Sequence, residues 1–207
     1  GPFLPVRVLH YGYTPLDWEA QNKAQRLAML EAALADDPDS LFCHYNLANH
    51  LKILGEYTRA LAHYVACFEG DTEQEWVQMS FFSAAYCANK IGKYNLAIER
   101  FQELVLYSDK LKAEKGRESD LREESIMYLA ISIQEDDWDG DGEPDVDSGL
   151  MRLRRYLEAN EPYEADVIKQ IVKLLFENAR YEQMVSTVRY FIERYPNDPQ
   201  NPVLHDQ

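Results

Sequence analysis

The chain has 207 residues, 46% of them apolar, so it can bury a sizeable core and is too hydrophobic for wholesale disorder. A net charge of −15 and a pI near 4.7 repel phosphate backbones, which makes nucleic acid a poor partner and favours cations or basic proteins. No apolar run approaches the roughly 18 residues of a membrane span, so no membrane insertion is expected, and nine Gly and nine Pro suit a helical chain better than an all-β one.

Gly1-Pro2 reads as a protease scar. The following "VRVLHYGY" alternates like a strand, but one strand cannot form a sheet alone, so residues 1–15 are expected to be an extended lead-in. A helix is expected over about 16–35, stopped by "ADDPDS". Its stripe of Leu27, Leu30, Ala33 and Leu34 would cover the end of whatever follows. From Tyr45 to Phe68 an apolar period of helical type breaks at Gly55 and resumes after Tyr57, giving helix, tight turn, helix. Ser83–Val105 repeats this layout, with Gly92, Tyr94, Ala97, Phe101 and Leu104 where Gly55, Tyr57, Ala60, Tyr64 and Cys67 stand. The charged stretch Ser108–Ser125 either lengthens the preceding helix or loops over the surface.

Ser125–Ile133 reads as another first helix and Gly149–Glu158 as its second, with Ala130 and Gly149 at the small-residue positions. Those positions are 12 residues apart in the first copy, Ala48 to Ala60, and 19 apart here, so seven extra residues sit in the turn. A last, looser copy spans Ile171–Pro196, with Ala179, Tyr181, Met184, Val188 and Phe191 in register.

These copies resemble the tetratricopeptide repeat, whose pattern wants Leu-Gly/Ala in the first helix, Gly-x-Tyr at the turn, then Ala and Phe/Tyr in the second helix. Leu47-Ala48, Gly55, Tyr57, Ala60 and Tyr64 fit it, as do Ala84-Ala85, Gly92, Tyr94, Ala97 and Phe101. The resemblance implies an all-α fold: a right-handed superhelix of stacked antiparallel helix pairs, a tetratricopeptide-like solenoid. Residues 16–207 would form one helical-repeat domain, with a capping helix over 16–35 and repeats at about 40–70, 77–107, 122–160 and 163–196. Residues 6–70 are also similar to the segment after the catalytic domain in bacterial family 2 glycosyltransferases. Residues 94–203 resemble tetratricopeptide proteins of gliding deltaproteobacteria, found in the cell envelope. Two different parents leave open a composite or designed fusion with no ligand.

The inserted turn carries chemistry of its own. Asp137, Asp139, Asp141, Gly142 and Asp145 stand at positions 1, 3, 5, 6 and 9 of the calcium loop known from helix-loop-helix proteins. Calcium takes about six to eight hard oxygens, and alternate residues of a tight loop direct theirs inward. The Glu143 carbonyl falls at position 7, and Gly142 permits the sharp turn. Position 12 is Ser148, where a bidentate acid is expected; Asp147, one residue earlier, can substitute if the helix start shifts, and otherwise water fills the place and affinity falls. A solvated acidic turn is the plainer alternative, yet Asp136, Asp137, Asp139, Asp141, Glu143, Asp145 and Asp147 would repel one another without a cation. The expectation is a structural Ca²⁺ held by Asp137, Asp139, Asp141, Glu143, Asp145, Asp147 and Ser148. Magnesium-assisted phosphoryl transfer lacks a glycine-rich phosphate loop or a basic clamp.

The resemblance further implies a concave face, lined by first helices, that receives a peptide or partner helix. Its inward positions would be Phe42, Tyr45, Asn49, Met79, Phe82, Tyr86, Met127 and Ile131, with Asn49 and Asn89 able to hydrogen-bond a peptide backbone. The repeats that grip chaperone carboxylate tails need Lys and Arg where this chain has Tyr45, Met79, Ser83 and Tyr128. An apolar or helical ligand suits it better. Any one of these side chains could instead pack between helices. His10, His44, His50, His63 and His205 are scattered, although His44 and His63 fall on adjacent helices and could meet. Cys43, Cys67 and Cys87 follow no metal or disulfide spacing and read as small buried hydrophobes. No Ser/His/Asp or Cys/His arrangement has motif support, so the chain is expected not to be an enzyme.

Overall fold

The computed structural model describes residues 16–69, 75–117, 119–143, 145, 149–157 and 161–199, and among them every regular element is helical. The lead-in 1–15, Asp147 and Ser148 lie outside the described residues. The helices are α1 (Leu16–Asp36), α2 (Leu41–Ile53), α3 (Tyr57–Ala66), α4 (Glu75–Lys90), α5 (Tyr94–Lys115), α6 (Leu121–Gln134), α7 (Gly149–Tyr156), α8 (Glu164–Glu177) and α9 (Tyr181–Arg194), with a 3₁₀ turn at Cys67–Glu69. Helices adjacent in sequence pack together from α1 to α7 and again at α8 and α9, and α8 rests on α6 across the short α7.

Three of the four helix pairs turn in the same way. Glu56, Lys93 and Arg180 each donate a backbone N–H to the carbonyl five residues back, at 2.9, 2.9 and 2.8 Å. That closure satisfies carbonyls which a helix end leaves open, and it needs a left-handed residue one position earlier. Gly55 and Gly92 supply it at φ 78° and 74°; in the last pair Ala179 takes φ 56°, where its Cβ is strained.

The small residues of the first two pairs, Ala48 and Ala60, then Ala85 and Ala97, are all fully buried. In the third pair Ala130 and Gly149 are both buried, and an added Cβ at Gly149 would lie 2.3 Å from Gln134 Nε2. Phe101 on α5 is fully buried in a triangle with Phe82 and Tyr128, all three ring centroids 5.7 Å apart, and so joins the second pair to the third. The charged stretch after Ser108 divides: α5 runs on to Lys115, Gly116 closes it at φ 62°, and α6 begins at Leu121. His50 Nε2 sits 2.8 Å from the Lys23 carbonyl and ties α1 to α2. At the other end Glu164 is wholly buried, held by Arg194 at 2.7 and 3.1 Å and by the Tyr195 hydroxyl at 2.7 Å, which fixes the start of α8 to the end of α9.

Candidate functional site

A groove of about 420 Å³ opens where α2, α3, α4 and α6 meet, lined by Lys52, Ile53, Tyr57, Phe82, Tyr86, Glu124, Met127 and Tyr128. Three of the sequence-predicted positions, Phe82, Tyr86 and Met127, come together here. Tyr86 is the hub: its ring lies edge-on to Tyr57 at 6.1 Å and to Tyr128 at 5.4 Å. Burial, then Tyr57 and Tyr128 beside it, hold its hydroxyl above the usual phenol range. Lys52 lays its ammonium 3.0 Å from Ser83 Oγ and 5.7 Å over the Tyr64 ring, and burial lowers its basicity.

The other predicted positions fall elsewhere. Asn49 accepts from the Tyr64 hydroxyl at 2.7 Å, and Asn89 is buried and donates to Ser132 Oγ at 3.0 Å, so both amides are engaged between helices. Tyr45 packs edge-on to Trp76 and Tyr64. Phe42 is 72% exposed at the start of α2; Met79 and Ile131 are half-buried. Sequence reasoning missed Lys52, Ile53, Tyr57 and Glu124 as groove walls. Lys52 and Ile53 are the last residues of α2, and their reach across to α4 depends on how successive pairs are offset. Tyr57 reads from the pattern as a turn residue, which it also is.

A second hollow, of about 570 Å³, lies between α5, α6 and α8, and its lining is polar. Arg122 crosses it to bridge Asp109 of α5 and Asp166 of α8, the latter at 2.9 Å. Cys43 is half-buried, while Cys67 and Cys87 are buried, and burial raises the Cys67 thiol and pushes Cys87 up to about 11, which keeps both protonated at neutral pH.

The inserted turn is built around Asp137. Its Oδ1 accepts from the N–H of Gly140 and Asp141 at 2.8 and 3.0 Å, and its Oδ2 from that of Gly142 at 3.0 Å. Asp139 Oδ1 accepts from Asp141 N–H, and Asp141 Oδ1 from Glu143 N–H. Gly140 and Gly142, at φ 77° and 88°, permit the coil. One carboxylate oxygen from each of Asp137, Asp139 and Asp141 lies within 4.8 Å of the others, a set of hard donors that could hold a divalent cation. Asp145 turns toward the protein, accepting from Trp138 N–H at 2.7 Å with Arg152 at 3.5 Å; Glu143 is exposed.

The turn is seated on three neighbours. Trp138 stacks on Tyr94 of α5 at 5.6 Å and lies 5.7 Å from Tyr156 of α7. Asp136 pairs with Arg180 between α8 and α9 at 2.6 Å. Beneath, the buried Arg152 lies 4.8 Å under the Trp138 ring and donates to the carbonyls of Ile133 and Glu135. It fills the place that the left-handed turn occupies in the other pairs.

The fold is that of a tetratricopeptide-like solenoid. No protein-family model and no curated protein matches the chain. Among solved structures it is similar to the nearly identical TPR-like repeats of a Podosopora anserina protein described as kinesin light chain, at 14% identity and TM-score 0.51, over 86% of this chain and 88% of that one. It is also similar to YrrB, a TPR protein described as having an unusual peptide-binding site, at 14% identity and TM-score 0.47, over 92% and 87% of the two chains, and to MamA, at 12% and 0.46, over 89% and 96%. Among the described residues no helix is long and apolar enough to cross a membrane. The narrower likenesses to glycosyltransferase repeat regions and gliding-motility proteins rest on the sequence alone.

Proposed function

We propose that this chain is a non-catalytic scaffold that binds an apolar peptide or partner helix in the groove between α2, α3, α4 and α6. The groove itself carries the reading. Four aromatic rings and Met127 line an open hollow of about 420 Å³, and Ile53 stands 67% exposed at its edge. Exposed apolar surface of this kind costs solubility unless a partner covers it, and rigid aromatics with a flexible Met suit the ridge of an amphipathic helix. The acidic surface favours a partner with basic flanks.

The test is selection from a displayed peptide library, followed by fluorescence polarisation on the enriched sequences. Wild-type protein should enrich sequences with apolar residues at helical spacing, and Ile53→Glu should weaken them at least tenfold with an unchanged melting temperature. Failure to enrich any sequence, or equal affinity for the variant, refutes the groove as the binding site.

The same reading gives the 137–148 turn a structural Ca²⁺. Support comes from the donor set: three carboxylate oxygens converge on a coil of oxygen-rich backbone, and their mutual repulsion is relieved by a divalent charge. The ion would close the α6–α7 turn and brace its contacts with α5 and the α8–α9 turn.

A further inference from the structure

The first two helix pairs each hold the pair that follows from fixed places around their turns. Two residues after the left-handed position, Tyr57 lies edge-on to Tyr86 of α4 at 6.1 Å, and Tyr94 stacks on Trp138 of the inserted turn at 5.6 Å. Three residues before it, Lys52 donates to Ser83 of α4 and Asn89 to Ser132 of α6, both at 3.0 Å. Six residues after it, Leu61 and Ile98 are buried, on helices against which α4 and α6 pack. The same count from Ala179 in the last pair gives Phe176, Tyr181 and Val185. These side chains are 50%, 55% and 42% exposed, and the two rings lie edge-on at 6.2 Å. The α9 helix is the last of the described elements. The places that elsewhere hold the next helix thus stand open to solvent as an apolar ridge, the kind of surface a partner covers.

The charges beside the ridge say what that partner is. Glu182, Val185 and Arg189 are all exposed and follow one another at i, i+3 and i+7, a single stripe along α9. The acid and the base stand two turns apart, about 10 Å along the helix, with Val185 and Ser186 midway between them. Ser186 donates its hydroxyl to the Glu182 carbonyl at 3.0 Å, so it asks for no hydrogen bond from a neighbour, and it is small enough to admit one. A two-fold axis through this midpoint lays a second α9 antiparallel to the first and sets Glu182 of each copy opposite Arg189 of the other. The stripe is therefore complementary to itself, in charge at its ends and in apolar character at its centre.

We propose that this chain pairs with a second copy of itself through α9, in a two-fold antiparallel contact that covers the ridge of Phe176, Tyr181 and Val185 and repeats the Glu182–Arg189 pair on both sides of the axis. The net charge of −15 on each copy opposes association at long range. At about 0.15 M salt, charges more than about 8 Å apart are largely screened, so the local pairs and the apolar ridge decide the outcome. The contact uses none of the residues that line the groove between α2, α3, α4 and α6.

The test is sedimentation velocity at loadings from about 1 to about 100 μM, with circular dichroism to check helix content. It compares wild type, Val185→Glu, Glu182→Arg, and a double variant carrying Glu182→Arg and Arg189→Glu. Wild type should pass from monomer to dimer over that range, and Val185→Glu should stay monomeric. Glu182→Arg should weaken association about tenfold, because two like-charged pairs then meet beside the axis. The double variant should recover it, because the exchanged charges oppose each other again. A wild type that stays monomeric throughout, as it would if another protein or another part of the chain covered the ridge, overturns the proposal. So does a dimer that Val185→Glu leaves intact, or single and double charge variants that associate alike. If Val185→Glu loses its helix signal, the charge exchange alone decides.

Discussion

The Nε of Arg152 donates to the Ile133 carbonyl at 3.0 Å, from a side chain only 1% exposed to solvent. The relationship explains how the third helix pair survives an insertion that breaks the turn used by the others. Where Glu56, Lys93 and Arg180 close a helix end with a backbone N–H, a guanidinium from the next helix does so here, and it anchors the inserted turn through Asp145 and the Trp138 ring.

Replacing Arg152 should therefore be severe. Arg152→Met leaves the Ile133 and Glu135 carbonyls without their donor and the partly buried Asp145 without its counter-ion, and the chain should lose about 3 kcal/mol in urea denaturation. Arg152→Lys should recover only part of this, because a point charge cannot span the fork of acceptors.

Calcium should stabilise the chain. At a hundredfold excess over its dissociation constant the gain is about 2.7 kcal/mol, and a chelator should reverse it. Trp138 sits inside the turn, so its fluorescence should report the same titration. If Asp141→Ala melts identically to wild type with and without calcium, the metal reading fails.

The strained alanine offers a test of the shared turn. Ala179→Gly should raise stability by about 1 kcal/mol by freeing a Cβ from φ 56°, whereas Gly55→Ala or Gly92→Ala should lower it by about 1–2 kcal/mol. Calorimetry on the three single variants checks the opposite signs.

The buried acid at the last pair should matter as much as the core around it. Glu164→Ala removes the partner of Arg194 and Tyr195 and should cost about 3 kcal/mol; Tyr195→Phe, which deletes one hydrogen bond to a charged group, should cost about 1–2 kcal/mol. Chemical denaturation of the two variants, which share one network, should give a double-variant loss smaller than the sum.

Much of the fold is local and so was readable. Gly55 and Gly92 at the left-handed turn, the buried alanines of the first two pairs, and the buried Phe101 all follow from short-range pattern, because each repeat is the same contact solved again. The seven-residue insertion was countable from Ala130 and Gly149, and the convergence of Asp137, Asp139 and Asp141 follows from their alternation within one coil. The groove was only partly readable. Asn49 and Asn89 hold the right kind of side chain at inward positions, yet Tyr64 and Ser132 from neighbouring helices take them up.

The amino-acid order alone set the helix pairs, their turns and the acidic coil, since these depend on residues a few positions apart. Which side chains face a common hollow, that the rings of His44 and His63 meet, and that Arg152 replaces a missing turn were decided only by the stacking of pairs. Those contacts join residues 15 to 43 positions apart, and their distances depend on small rotations between helices that no local pattern encodes.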